Sequence, residues 1–107
     1  SLAAGAPTPP ETIRTIADGL TAPKPGVLNF EIIRRGITDV LTVSDESILN
    51  AMGSVLRHLK VVVEPAGAAA LAGILADGRF RGRRVGVLLS GSNTGVERIR
   101  EALAAAG

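Results

Sequence analysis

The residues best suited to chemistry stand in the run Ser90-Gly91-Ser92-Asn93-Thr94-Gly95. It follows the apolar residues 84–89 (RVGVLL) and precedes an amphipathic stretch, in the order strand, turn, helix. A glycine-rich turn at a helix N-terminus presents backbone N–H groups to anions or polar rings. In open α/β sheets, ligands bind beyond the carboxyl ends of the strands. The same turn also arises for geometric reasons alone. Asp18, in Ala17-Asp18-Gly19, could serve a ligand or simply make an Asp-Gly turn. Glu64, just before Pro65, could face a site or only complement a helix dipole. His58, the single histidine, sits between Arg57 and Lys60 near a helix end, where a solvated cationic role suits it best. One histidine and no cysteine do not make a zinc site of the usual kinds.

These residues need elements to position them. Residues 1–11 are rich in Ala, Gly and Pro and read as an extended arm or linker. A loop around Asp18 and Gly19 follows. Residues 28–36 predict a short helix with Leu28, Ile32 and Ile33 on one face and Gly36 as its stop. Residues 38–43 (TDVLTV) have the β-branched content of a strand. Ser44 then caps a helix that opens on Asp45 and Glu46 and places Ile48, Met52, Val55, Leu56 and Leu59 at three-to-four spacing. Residues 61–63 are its frayed end or a brief link. Pro65 suits the first position of a second helix over 66–77, small or apolar on almost every side and ended by Gly78. Residues 84–89 read as a strand apolar on both faces. The final helix, 96–106, presents Val96, Ile99, Leu103 and Ala106 inward.

The composition narrows the field. Hydrophobic residues make up 46% of the 107, so disorder is not expected, yet Phe30 and Phe80 are the only aromatics. Ala, Val, Leu and Ile on short-looped elements suit the layered interior of an α/β protein. The net charge of +2 reflects ten Arg and two Lys, densest at Arg79, Arg81, Arg83 and Arg84. No aromatic lies among these arginines to stack a base, so they read as a solvated loop rather than a nucleic-acid surface. No apolar run spans a bilayer and no secretory signal is visible, so no membrane partner and a cytoplasmic setting are expected. Two strands joined by two helices cannot cover themselves, and the Ala-rich helix has more apolar surface than 107 residues can bury. Something else must pack there.

Taken together, the motifs are more specific than any one. Pro-Glu-Thr-Ile (10–13), Thr-Ile-Ala-Asp-Gly-Leu (15–20), Phe-Glu-Ile-Ile (30–33), Thr-Asp-Val-Leu-Thr-Val (38–43), Lys-Val-Val-Val-Glu-Pro-Ala-Gly-Ala-Ala-Ala-Leu-Ala (60–72) and Leu-Leu-Ser-Gly-Ser-Asn (88–93) occur in this order. Over residues 12–107 the arrangement resembles the C-terminal part of the threonine dehydratase, serine dehydratase and serine racemase family. These are pyridoxal-phosphate enzymes with the fold of the tryptophan synthase β subunit. The resemblance implies an α/β fold: a C-terminal fragment of the large domain of a fold type II pyridoxal-phosphate enzyme, with few strands and flanking helices.

It also implies a site, residue by residue. Ser90 matches the serine that hydrogen-bonds the pyridine nitrogen of the cofactor. A neutral hydroxyl does not hold that nitrogen protonated as a carboxylate would, which suits elimination of water from serine or threonine. Ala17, Asp18 and Gly19 match a loop beside the cofactor face, and Glu64 a residue near the ring. Gly91 and Asn93 shape the turn. Ser92 departs from the family's second glycine and restricts the backbone angles open there. The Schiff-base lysine of the family, its Ser-Gly-Asn-His loop and its phosphate-gripping glycine loop all lie upstream and have no match here. Lys24 and Lys60 lack the lysine's context.

The expectation is therefore part of an L-threonine or L-serine ammonia-lyase that gives a 2-oxo acid and ammonia. Its partners would be a small amino-acid substrate, the missing N-terminal portion of the enzyme and further copies in a homo-oligomer. On its own the chain is expected to be inactive. An amino-acid racemase of the same family is the nearest rival. A non-catalytic α/β binding module and a structural subunit are the others.

Overall fold

The computed structural model describes residues 1–107. Its regular elements are all helical. They are α1 (Val27–Gly36), α2 (Asp45–Leu59), α3 (Pro65–Ala76) and α4 (Val96–Ala105), with short 3-10 turns at Asp18–Leu20 and Gly78–Phe80. Each begins or ends for a local reason. Ser44 caps α2, its hydroxyl accepting a hydrogen bond from the Ser47 N–H, with Asp45 and Glu46 at the positive end of the dipole. Lys60 closes α2 in the left-handed conformation, with φ at 59°. Pro65 opens α3, and Asp77 caps the 3-10 turn beyond it.

The core lies where α2 passes between α3 and α4. Ile48, Ala51, Met52 and Val55 of α2 pack with Ala68 and Ala72 of α3, Ala102 of α4, and Ala17 and Val63 from the connecting segments. The small residues let the helices approach closely. Gly53 lies against the Ala102 carbonyl and the Ala106 methyl, with no space left for a side chain. Arg57 adds a bond across the same contact, donating to the Leu103 carbonyl at 2.6 Å.

The expected inner face of the last helix is corrected, and the apolar faces of α1 and α2 are only partly covered. In α1 the buried residue is Phe30, whereas Leu28 is 72% exposed and Ile32 and Ile33 are also exposed. No other helix packs on α1, so its larger apolar face has no cover here. In α2, Leu59 is exposed, because the left-handed turn at Lys60 ends the helix beyond the core. In α4 the buried residue is Ala102, with Val96 and Leu103 exposed. Close approach at Gly53 selects the methyl-sized side chain for the contact.

The two expected strands do not form. Residues 38–43 and 84–89 belong to no helix and no sheet ladder, and their backbone groups make no hydrogen bonds with one another. A helix satisfies its own N–H and C=O groups, but a strand needs a neighbour to take them. These two segments are separated by α2 and α3 and have no neighbouring strand. Leu88, inward on a covered sheet, is accordingly 79% exposed. The radius of gyration is 14.8 Å, against about 13 Å for a compact domain of this length. The shape is open because its layers have one side only.

Candidate active site

Asp18, Gly19, Glu64 and Asn93 come together on one cleft of about 610 Å3. They arrive from three places: the 3-10 turn, the residue before α3 and the turn before α4. The cleft is built where the N-terminal ends of α3 and α4 face the Asp18 loop. Gly19 packs closely on Ala66, which holds that loop against the first turn of α3.

Ser90 and Gly91 stand beside this cleft and are joined to it through α3. The Glu64 N–H donates to the Gly91 carbonyl at 3.1 Å. Gly91 has φ at +71°, a left-handed angle that favours glycine. A Cβ there would also overlap the Glu64 carboxylate. Gly67, one turn into α3, has the Ser90 carbonyl against its Cα, and a Cβ at that position would occupy the same space. The turn 90–95 is therefore held down on the start of α3 by two glycines, one on each side of the contact. Ser92 takes no left-handed angle. The family's second glycine is not required by this backbone, and Thr94 closes the turn by donating to the Ser92 carbonyl at 2.9 Å.

The Ser90 residue is exposed at the end of the 84–89 segment. The side chains of Ser90, Asp18, Glu64 and Asn93 have no intramolecular hydrogen-bond partner among the side-chain bonds of the protein, unlike Asp45 or Asp39, which are both engaged. Polar groups left free around one cleft are available to a ligand.

Several lining residues escaped the sequence reading. Glu97, Arg98 and Glu101 bring the polar face of α4 to the cleft, where Arg98 is paired with Glu101. The i,i+3 spacing of Arg98 and Glu101 was visible, but it reads as an ordinary solvated face until the Asp18 loop is placed opposite. Thr15 and Asp45 were also missed as a pair: the Thr15 hydroxyl donates to Asp45 Oδ1 at 2.5 Å, 30 residues away.

The charge of the cleft limits what it can hold. Asp18, Glu64, Glu97 and Glu101 face it against one arginine already paired. Such a wall repels a phosphate. The free polar groups of Asp18, Glu64 and Asn93, with the exposed Ser90 beside them, fit an uncharged or cationic polar face of a ligand better than a phosphate. The phosphate has no cradle among these residues.

Comparison with known proteins shows the family. The sequence profile of the family described as pyridoxal-phosphate dependent enzyme matches residues 1–91. The chain is 39% identical over 89 residues to the L-threo-3-hydroxyaspartate ammonia-lyase of a Pseudomonas species, covering 82% of this chain and 28% of that protein. The crystal structure of a threonine deaminase from T.th. superposes with a TM-score of 0.82 at 38% identity, over 89% of this chain and 35% of that one. Maize serine racemase superposes with a TM-score of 0.82 at 33% identity, over 97% of this chain and 34% of that one. The chain thus spans about a third of the length of these relatives. Motif order, the cleft and the matched profile lead to the same place: the chain belongs to the pyridoxal-phosphate dependent enzyme family.

Proposed function

We propose that residues 12–107 supply the C-terminal part of the large domain of a pyridoxal-phosphate-dependent ammonia-lyase, with residues 1–11 as a connecting arm. The substrate would be a β-hydroxy amino acid, L-threonine or L-serine. The observation that carries this reading is the seating of the Ser90-Gly91 turn on Glu64 and Gly67, beside a cleft lined by Asp18, Gly19 and Asn93.

When bound, the cofactor supplies an electron sink for the bond broken at the substrate α-carbon. The residues of this chain would set its surroundings. Ser90 offers the pyridine nitrogen a neutral hydroxyl, which leaves it without a carboxylate to hold its proton. Gly91 would keep the Ser90 turn beside the cleft by letting it lie on Glu64. Asp18, Gly19 and Asn93 bound the ring and orient it. The net reaction removes the α-proton and the β-hydroxyl as water. Water returned to the product then releases ammonia and leaves the 2-oxo acid.

The lysine that carries the cofactor and the loop that grips its phosphate would come from an upstream portion. The same portion would supply strands to pair with residues 38–43 and 84–89 and cover Leu88. Isolated residues 1–107 should then be inactive. The assay is to express the full reading frame and the 107-residue chain separately, and to measure 2-oxo acid and ammonia from L-threonine, L-serine and L-threo-3-hydroxyaspartate. Turnover by the full protein alone supports the proposal. Formation of D-serine without 2-oxo acid would replace it with the racemase reading, and turnover by the isolated chain would end the claim that an upstream lysine is needed.

A further inference from the structure

We infer that Thr15 and Asp45 form a positioning pair that fixes the Ala17-Asp18-Gly19 rim of the cofactor cleft, a role that rests on the reading of that cleft given above. The Thr15 hydroxyl donates to Asp45 Oδ1 at 2.5 Å. The Ile16 N–H donates to Asp45 Oδ2 at 3.2 Å. The Thr15 hydroxyl oxygen in turn accepts from the Ala17 N–H at 3.2 Å. Both carboxylate oxygens and both capacities of the hydroxyl are used. Asp45 is the first residue of α2, so the helix's positive end favours its charge and the core fixes its backbone.

The rim has no other long-range hydrogen bond. Asp18, Leu20 and Thr21 donate only to carbonyls two or three residues back, at Ile16, Ala17 and Asp18. Its side chains divide two spaces. Ile16, Asp18 and Gly19 face the polar cleft, whereas Thr15, Ala17 and Leu20 face an apolar hollow of about 450 Å3. The rim is a thin wall, with Ala17 buried in the core as its plug. Gly19 on Ala66 and the buried Ala17 pack the wall at two points, and the tether to Asp45 is its one long-range hydrogen-bonded anchor. Released from Asp45, it can slide toward the hollow and carry Asp18 and Gly19 away from the ring.

The test uses the full-length enzyme, with Thr15→Val, Thr15→Ser and Asp45→Asn. Valine keeps the shape of threonine and removes the hydroxyl. Asparagine keeps the size of aspartate but sets an N–H2 against one of two donors. Three quantities are measured: cofactor affinity by titration, the visible circular dichroism of the bound cofactor, and amide hydrogen exchange over residues 16–19 of the cofactor-free protein. Thr15→Val and Asp45→Asn are expected to weaken cofactor binding about tenfold, the loss that follows removal of a hydrogen bond to a charged group. They should also alter the circular dichroism band and speed exchange at the rim. Thr15→Ser should stay within about twofold of the parent, since it retains both hydroxyl bonds. If the parent binds cofactor and the valine and asparagine variants match it in affinity and dichroism, the positioning role is wrong and the site reading stands. If the parent binds none, the site reading fails and takes this role with it. If neither variant folds, the pair is a folding element and the inference is overturned.

Discussion

Glu64 and Gly91 meet so closely that each sets the other's conformation. The Glu64 N–H donates to the Gly91 carbonyl at 3.1 Å, and the Glu64 carboxylate fills the space a Gly91 side chain would need. One residue precedes α3 and the other follows Ser90, so the contact ties the 90–95 turn to the helix that buries Ala68 and Ala72. The Glu64-Pro65 and Ser90-Gly91 sequences are thus two halves of one contact.

Gly91→Ala should damage that contact in two ways. The left-handed angle alone costs an alanine about 1–2 kcal/mol, and the new methyl must displace the Glu64 carboxylate. In the full-length enzyme we expect cofactor affinity to fall more than tenfold, with a lower melting temperature. Equal affinity for parent and variant, measured by cofactor titration, would show that the turn need not sit on Glu64.

Gly67→Ala probes the same contact from the helix side. The added methyl would overlap the Ser90 carbonyl and crowd Val63. Neither neighbour can yield freely, because one is backbone and the other is buried in the core. Overpacking of this kind costs about 1–3 kcal/mol. Denaturant unfolding of the full-length variant should show that loss, with the slope unchanged.

Ser90→Ala should behave in the opposite way, sparing the fold while harming the site. Its exposed hydroxyl makes no internal hydrogen bond to lose, and a small hydroxyl at a turn contributes roughly 1 kcal/mol at most. On the proposed role of Ser90, cofactor binding should weaken and elimination slow, because the ring nitrogen would lose its partner. Ser90→Asp should hold that nitrogen protonated and shift elimination against competing reactions of the carbanion. Identical cofactor affinity and 2-oxo acid formation in Ser90→Ala and the parent would reduce Ser90 to a turn residue.

The helices and their caps were legible in the sequence because their causes are local. Ser44, Pro65, Gly78 and the spacing of Ile48, Met52 and Val55 act within a turn or two. The strands at 38–43 and 84–89 were read from composition, but a strand depends on its neighbours, and the chain offers none. The inner face of α4 was misread for a related reason: Val96, like Val27 and Leu28 of α1, is apolar toward a surface with nothing on it here. At the site, Asp18, Glu64 and Asn93 could be placed together only through motif order. The Asp18 loop is bonded to α2 by Asp45 reaching Thr15 across 30 residues, which no periodicity reports.

Arg79 links the 38–43 segment to the end of α3, bridging Asp39 at 2.8 Å and Asp77 at 2.6 Å. Its hydrogen bond holds the Asp39 carboxyl below the ordinary 3.8, helped by the Val40 N–H. A carboxylate depressed in the folded state stabilises above its unfolded pKa, and that contribution is lost as pH falls through the lower folded value. The Arg79→Ala variant should therefore differ from the parent at neutral pH and converge with it as the pH drops below 3.8. Both groups are exposed, so added salt should shrink the difference. Melting temperatures across pH 2–7 test this, and a gap that widens in acid would refute the assignment.

Isolated residues 1–107 should self-associate. Leu88 is 79% exposed, Val27 and Leu28 are each 72% exposed, and Leu75 projects from a helix with few polar residues. These side chains lie on the unpaired 84–89 segment, on α1 and on α3, so the uncovered area is spread over several elements rather than confined to one patch. Residues 84–89 add backbone N–H and C=O groups without partners, which can pair with the same segment of another copy. Association should thus depend on protein concentration and be relieved by Leu88→Lys, which puts a charge into the strand-like segment without touching the core. Light scattering against concentration, for the chain and this variant, makes the comparison. A stable monomer that unfolds cooperatively at high concentration would mean that these surfaces are covered within 107 residues, contrary to the open arrangement described above.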